Sequence, residues 1–211
     1  MTLELRAIRI ARKGDDRLLF PPLSLTIPAG EVVTVMGPSG IGKSTLMDFI
    51  GGHLAHGFQG QGQVILNGQD ITDLPAEARQ IGLMFQDAAL FPHLSVADNL
   101  AFGLTRRVRG GSARAAAVTA ALAEAGLDGF GPRDPARLSG GEKARAALMR
   151  TLLAEPKALL LDEPFSKLDP DLRADLRRFV FDHIRARAIP VMMVTHDATD
   201  AEAAGGPVLR L

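Results

Sequence analysis

The sequence predicts an α/β fold: a mostly parallel sheet, an N-terminal antiparallel β-subdomain and an inserted helical subdomain. Three observations predict it. Short apolar runs rich in Val, Ile and Leu alternate with helical stretches, the pattern of a parallel sheet with crossover helices. One of these runs, Glu31–Met36, leads directly into a glycine-rich turn and then a helix. From about Ser95 to Leu153 the chain turns rich in Ala and Leu and interrupts the strand series.

Taken in order, Met1–Arg12 alternates, with Leu3, Leu5, Ile8 and Ile10 among Glu4, Arg6 and Arg9. That is a strand pattern, not the apolar block of a signal peptide. Leu23–Ile27 alternates again and ends at Pro28–Gly30. Glu31–Met36 is continuously apolar, as a buried strand is. A helix starts near Lys43 and stops at Gly51–Gly52, where two glycines break it. Gln63–Asn67 reads as a strand closed by the turn pair Asn67–Gly68, and Ile81–Phe85 as another. In the helical stretch, Ser112 caps a helix over Ala113–Ala125, with Gly126 just past its end. A second helix runs from about Glu142 to Ala154, before Pro156. Ala158–Leu161 resumes the buried strands. Asp169 as N-cap and Pro170 as first helical residue open a helix to about Ala186, and Pro190 opens the strand Val191–Thr195. The expected organisation is one domain over residues 1–211, with the inserted lobe at about 95–153.

Composition narrows the function classes. In 211 residues, Lys+Arg and Asp+Glu both number 24, so the formal net charge is zero and no long-range field draws the chain to nucleic acid or to an anionic membrane. The absence of cysteine excludes disulfides, thiolate catalysis and Cys-based zinc sites. No run of about 18 apolar residues offers a membrane span, so work at a membrane requires another protein as anchor. The short basic run Arg106–Arg114 reads as the solvated surface of the lobe, not as an RNA site.

The strongest motif is Gly37-Pro38-Ser39-Gly40-Ile41-Gly42-Lys43-Ser44, followed by Thr45. It matches G-x-x-x-x-G-K-[ST] and lies between a predicted strand and a predicted helix, the context that separates a phosphate-binding loop from an ordinary glycine turn. Its glycines let successive N–H groups turn inward toward phosphate oxygens, and the helix adds its N-terminal partial charge. Lys43 is expected on the β- and γ-phosphates and Ser44 on Mg²⁺. Leu159-Leu160-Leu161 then ends in Asp162-Glu163, two acids at the carboxyl edge of a sheet, where ligands of open α/β sheets bind. Asp162 is expected to hold Mg²⁺ through its waters, and Glu163 to polarise the attacking water. Leu138-Ser139-Gly140-Gly141-Glu142 is a second helix start suited to an anion. A helix cap accounts for its serine but not for its glycine pair.

These motifs together resemble those of the ATP-binding subunits of ABC transporters over nearly the whole chain. Gly37–Ser44 matches the family's Walker A loop, Gln86 its Q-loop, Leu138–Glu142 its signature, Leu159–Asp162 with Glu163 its Walker B strand and catalytic glutamate, Ser166–Asp169 its D-loop and His196 its switch histidine, all in the family's order. The resemblance implies a P-loop NTPase core that hydrolyses ATP with Mg²⁺ in a head-to-tail homodimer formed on ATP binding. Ser139, Gly140, Gly141 and Asp169 would then meet nucleotide across the dimer. Gln86 would reach Mg²⁺ or the attacking water, and a neutral His196 imidazole would donate to the γ-phosphate. The run Gln86–Val96 resembles importer-type members in particular. It implies a groove, floored by exposed Leu90 and Phe91, for transmembrane permease subunits that would hold the chain at the cytoplasmic face of the membrane, with a solute-binding protein in the full system.

Some positions depart from the family. Its usual adenine-stacking aromatic is missing at Arg12–Gly14, and the chain has no Tyr or Trp. Phe20 is the nearest aromatic, and Arg12 or an apolar side chain is the alternative platform. Lys167 stands in the D-loop where a small residue is commoner. The 15 residues after His196 leave no room for a C-terminal regulatory domain. Competing readings are an export-type ATPase, a soluble ABC-type ATPase acting on nucleic acid and a non-hydrolysing regulatory module. The intact Lys43, Asp162, Glu163 and His196 oppose the last.

Overall fold

In the computed structural model, which describes residues 1–15, 17–87, 89–105, 107–166 and 168–211, the elements run β1 (Thr2–Arg12), β2 (Leu23–Pro28), β3 (Val32–Met36), α1 (Lys43–Gly51), β4 (Phe58–Leu66), β5 (Gln69–Asp70), β6 (Ile81–Met84), α2 (Val96–Gly103), α3 (Gly111–Glu124), α4 (Gly140–Leu152), β7 (Ala158–Asp162), α5 (Pro170–Arg187), β8 (Val191–Val194), α6 (Ala198–Ala204) and β9 (Val208–Arg210). Lys167 of the D-loop, Ala88 of Gln86–Val96 and Arg106 of the basic run lie outside the described residues. No helix among the described residues is long and apolar enough to cross a membrane. The chain divides into two compact units: Met1–Leu83 with Lys157–Glu163 and Phe181–Leu211, and Met84–Pro156 with Pro164–Val180.

The first unit contains two sheets. The antiparallel one has the order β2-β1-β4-β5 and the other β6-β7-β8-β3-β9. The spacing Leu3, Leu5, Ile8, Ile10 breaks strict alternation, and β1 resolves this with a bulge: its register shifts between Leu5 and Ile8, with Ala7 at φ 50°. The extra residue returns Ile8 and Ile10 to the buried face. Across from it, Gly62 is irreplaceable, since a Cβ there would stand 2.7 Å from the carbonyl oxygens of Arg6 and Ala7. Pairing with β1 carries β4 back to Phe58, opposite Arg12, five residues before the predicted Gln63. The Gln/Gly alternation of Gln59–Gln63 has no apolar signal, so this half of the strand is specified by its neighbour. The core of the unit gathers Ile8, Ile10, Leu46, Ile50, Leu160 and Met192 from both sheets and α1.

β3, β7 and β8 pair in parallel, and so do β3 and β9. The registers Asp162↔Val194 and Val35↔Val194 bring the carboxyl ends of β7, β8 and β3 to one edge, in that order. At the far end of α1, Gly52 closes the helix in the left-handed conformation, and the buried Arg79 guanidinium donates to the Phe49 and Ile50 carbonyls at 2.9 and 2.8 Å, and also to Leu74 and Thr72. These bonds answer orphan carbonyls of the last turn. Burial pushes Arg79 below its ordinary value.

The second unit is helical. Ser95 caps α2 by accepting from the Asp98 amide. Ser112 does not cap α3, contrary to expectation. The cap position is Gly110, at φ 88° with no side-chain bond, and Ser112 sits inside the first turn. Gly110 reaches a backbone conformation that starts the helix two residues early. Gly126, at φ 66°, lies just past its end as expected. α4 starts at Gly140, not Glu142, because Ser139 and Glu142 form a capping box: the Ser139 hydroxyl accepts from the Glu142 amide and the Glu142 carboxylate from the Ser139 amide. At the start of α5 the Arg173 amide donates to the Asp169 carbonyl at 2.8 Å. The short elements α6 and β9, both in the first unit, answer to no sequence signal noted above.

Candidate functional site

The phosphate-binding loop leaves the buried end of β3. A Cβ at Gly37 would stand 2.9 Å from the Leu211 carbonyl oxygen, and one at Gly42, where φ is 107°, 2.9 Å from Leu19 Cδ1. Gly42 is the N-cap of α1 and supplies no side-chain acceptor. Ser95, Ser139 and Asp197 cap α2, α4 and α6 with their own oxygens. The first amides of α1 receive no such cap and are free to serve a ligand. Lys43 is 8% exposed and folds back over the loop, donating from Nζ to the carbonyls of Gly37 at 2.9 Å and Pro38 at 3.0 Å. Beside it is a cavity of about 280 Å³ lined by Ser39, Gly40, Gly42, Ser44, Thr45 and Glu163.

Asp162 ends β7, and the Ser44 hydroxyl donates to its Oδ2 at 3.2 Å. A hydroxyl and a carboxylate this close are hard oxygen donors of the kind Mg²⁺ selects. No three His, Cys, Asp or Glu side chains among the described residues cluster as a metal cage. Burial, reinforced by the Glu163 and Asp48 carboxylates, raises the Asp162 pKa, while the Ser44 bond and Lys43 pull it down. Since the folded value lies above the unfolded one, the native chain binds the extra proton, and stability falls as pH rises above the ordinary carboxylate range. Asp162→Asn keeps an acceptor for Ser44 and removes the charge. It is expected to raise the melting temperature of the nucleotide-free chain at pH 7 by about 2 °C, read by scanning fluorimetry, and to abolish Mg²⁺-dependent turnover. A lowered melting temperature would contradict this balance.

Glu163 follows with φ 46°, a left-handed backbone that a non-glycine residue rarely adopts, and its amide donates to the Val194 carbonyl at 2.9 Å. Strain of this kind persists only where the surroundings hold it. Here it aims the side chain across the sheet edge, where Oε1 meets His196 Nδ1 at 3.2 Å. The His196 side chain is 65% exposed and the Glu163 side chain 25%. A carboxylate lining the cavity, in contact with an imidazole that faces solvent, is an arrangement able to deprotonate a water and donate to an incoming anion.

The first unit thus brings together Gly37–Thr45, Asp162, Glu163 and His196. The second holds Gln86, Ser139, Gly140, Gly141 and Asp169. In it, Gln86 and Gly140 line one cavity of about 180 Å³ with Phe85, Lys143 and Leu168. The Ser139 amide and hydroxyl hold the Glu142 carboxyl below its usual range. The two signature glycines differ. A Cβ at Gly140 would come within 2.9 Å of Leu168 Cδ2, whereas one at Gly141 would meet none of the described residues within 4 Å. Packing therefore accounts for the first glycine but not the second.

Two sequence expectations need correction. Leu90 and Phe91 are half-buried, not exposed. The exposed aromatics are Phe85 (52%) and Phe102 (69%), with Phe102 edge-on to Phe91 at 4.7 Å. Phe102 is one residue in an ordinary apolar helix, and no local pattern sets it apart. Fully buried Asn99 anchors the Phe91 backbone, accepting from its amide at 2.7 Å and donating to its carbonyl at 3.1 Å, while the Arg150 guanidinium lies over the Phe91 ring at 5.0 Å. Phe20 is 3% exposed and belongs to the core, so it offers no platform for a base, whereas Arg12 is exposed.

Comparison with known proteins agrees with these features. A family profile described as ABC transporter matches residues 20–166. An uncharacterized ABC transporter ATP-binding protein of Escherichia coli K12, YnjD, is 52% identical over 192 residues, covering 91% of this chain and 88% of its own length. The thiamine import ATP-binding protein ThiQ of Cereibacter sphaeroides is 42% identical over 192 residues, covering 91% and 80%. Among solved structures, the ATP-binding cassette MJ0796, a dimer in a post-hydrolysis state bound to ADP and Pi, matches with a TM-score of 0.81 at 28% identity, over 99% of this chain and 94% of its own.

Proposed function

The chain belongs to the ABC transporter ATP-binding family, as a subunit that binds and hydrolyses ATP, and from that premise we propose that it couples Mg-ATP hydrolysis to the import of a solute through separate transmembrane subunits. The observation that carries the proposal is the convergence of Lys43, Ser44, Asp162, Glu163 and His196 at one sheet edge. Lys43 and the amides of Gly37–Thr45 hold the phosphates. Ser44 and Asp162 would hold Mg²⁺, which when bound would shield the phosphate charge. Glu163 takes the proton of the attacking water, and His196 donates to the γ-phosphate. Support for import comes from the relatives named for import and from the resemblance of Gln86–Val96 to importers. That segment, with Phe85 and Phe102 exposed, is the contact offered to the permease, which holds the chain at the cytoplasmic face. A solute-binding protein completes the system.

Residues 1–211 act as one ATPase domain with the lobe at about 95–153. Two copies close head to tail on ATP, so that Ser139, Gly140, Gly141 and Asp169 of one meet the nucleotide of the other. The openness around Gly141 supplies the test. Gly141→Ala creates no clash with the described residues and replaces a poor helix former, for a gain of up to about 1 kcal/mol. Expected are an undiminished melting temperature, unchanged ATP binding by the monomer, and loss of ATP-induced dimerisation with a drop of about 100-fold in turnover, as for a lost transition-state contact. Full activity would remove Gly141 from the composite site.

A further inference from the structure

His196 sits on the β8–α6 turn, and the residues that shape this turn are buried although His196 itself is exposed. Thr195 and Asp200 are each 2% exposed. The Thr195 hydroxyl donates to Asp200 Oδ2 at 3.1 Å and accepts from the Asp197 amide at 3.1 Å. The Thr195 amide is tied to the Val35 carbonyl at 3.3 Å. His196 is thus bracketed on both sides by one hydroxyl.

We infer that Asp200, acting through Thr195, is a positioning residue that sets where the His196 imidazole stands beside Glu163. Asp200 Oδ2 accepts from the Thr195 hydroxyl. It therefore draws the single Thr195 proton toward itself and leaves the hydroxyl lone pairs for the Asp197 amide. That amide is the donor next to His196, so the turn is fastened in one conformation. A buried carboxylate is a costly means of closing a seven-residue helix. Asp197 already caps α6 through the Thr199 amide at 2.8 Å. Asp200 is the group that receives the Thr195 hydroxyl at this turn. Displacing the turn by a fraction of an ångström would change the 3.2 Å approach of Nδ1 to Glu163.

This inference rests on the part given to His196 above, and its test separates the two. Turnover is measured at saturating ATP, with ADP affinity and melting temperature alongside, for Asp200→Ala, Thr195→Val, Thr195→Ser and His196→Ala, and for the first two combined with His196→Ala. Expected is a fall in kcat of about tenfold for Asp200→Ala and Thr195→Val, in line with the cost of small misplacements. Affinity for ADP, which lacks the γ-phosphate, is expected to stay within about twofold. Thr195→Ser, which keeps the hydroxyl, restores the rate. In the His196→Ala background the same changes alter kcat by less than about twofold, because the residue they act through is gone. In the nucleotide-free chain, the His196 ring resonances shift in Thr195→Val but not in Thr195→Ser.

Effects that multiply with His196→Ala, or a Thr195→Val chain with full activity and unmoved His196 resonances, overturn the inference while leaving the role of His196 intact. Full activity of His196→Ala overturns both. Should Asp200→Ala not fold, the Thr195 pair decides alone.

Discussion

Glu163→Gln is expected to bind ATP, to accumulate as a nucleotide-bound dimer and to turn over between about 100- and 10,000-fold more slowly than the native chain, the range for a lost general base. The substitution is nearly isosteric. The amide that donates to Val194 belongs to the backbone and is retained, so the strained turn at φ 46° is kept. What disappears is the only carboxylate that the described residues contribute to the cavity beside the phosphate loop. Phosphate release measured against enzyme concentration reads the chemistry, and light scattering with and without ATP reads the dimer. Activity of the native chain should rise faster than linearly with concentration if two copies build each site. Native-like turnover by the variant would remove Glu163 as the base. A dead variant that stays monomeric with ATP would instead assign the residue to closure.

Lys43→Ala is expected to weaken ATP binding by about 100-fold or more, the equivalent of two charge-assisted contacts at roughly 1.5–3 kcal/mol each. The estimate concerns the nucleotide-bound state. Without nucleotide, the ammonium is held by the Gly37 and Pro38 carbonyls, so it stands ready over the loop instead of sampling solvent. Lys43→Arg should fare little better. At 8% exposure there is no room for a planar fork, and the two are not equivalent at a compact site. Titration calorimetry with ATP checks both variants, and native-like affinity in either would contradict the assigned role.

How much of this was readable before the structure depended on whether a signal was local. The loop Gly37–Ser44 and the strand Leu159–Asp162 are contiguous, and their placement followed from sequence order alone. The β1 bulge was written in the spacing Leu5–Ile8, and the capping box in Ser139-x-x-Glu142, both visible once the right rule is applied. The first half of β4 was not readable, because Gln59–Gln63 carries no hydrophobic period and pairs only because β1 lies beside it. Ala198–Ala204 is too short and too rich in alanine for a period to emerge. Burial of individual aromatics was least legible: Phe20 is in the core and Phe102 in solvent, although nothing in their neighbours distinguishes them.

The strand order β7-β8-β3 acts as a ruler. Glu163, His196 and the loop Gly37–Ser44 follow the ends of three adjacent strands, so their backbones leave the sheet edge at intervals of about 4.8 Å per strand. Connections that join these strands through the rest of the chain contribute nothing to that spacing. Their lengths can therefore change, in the course of descent or at a designer's bench, without altering the strand spacing at this edge.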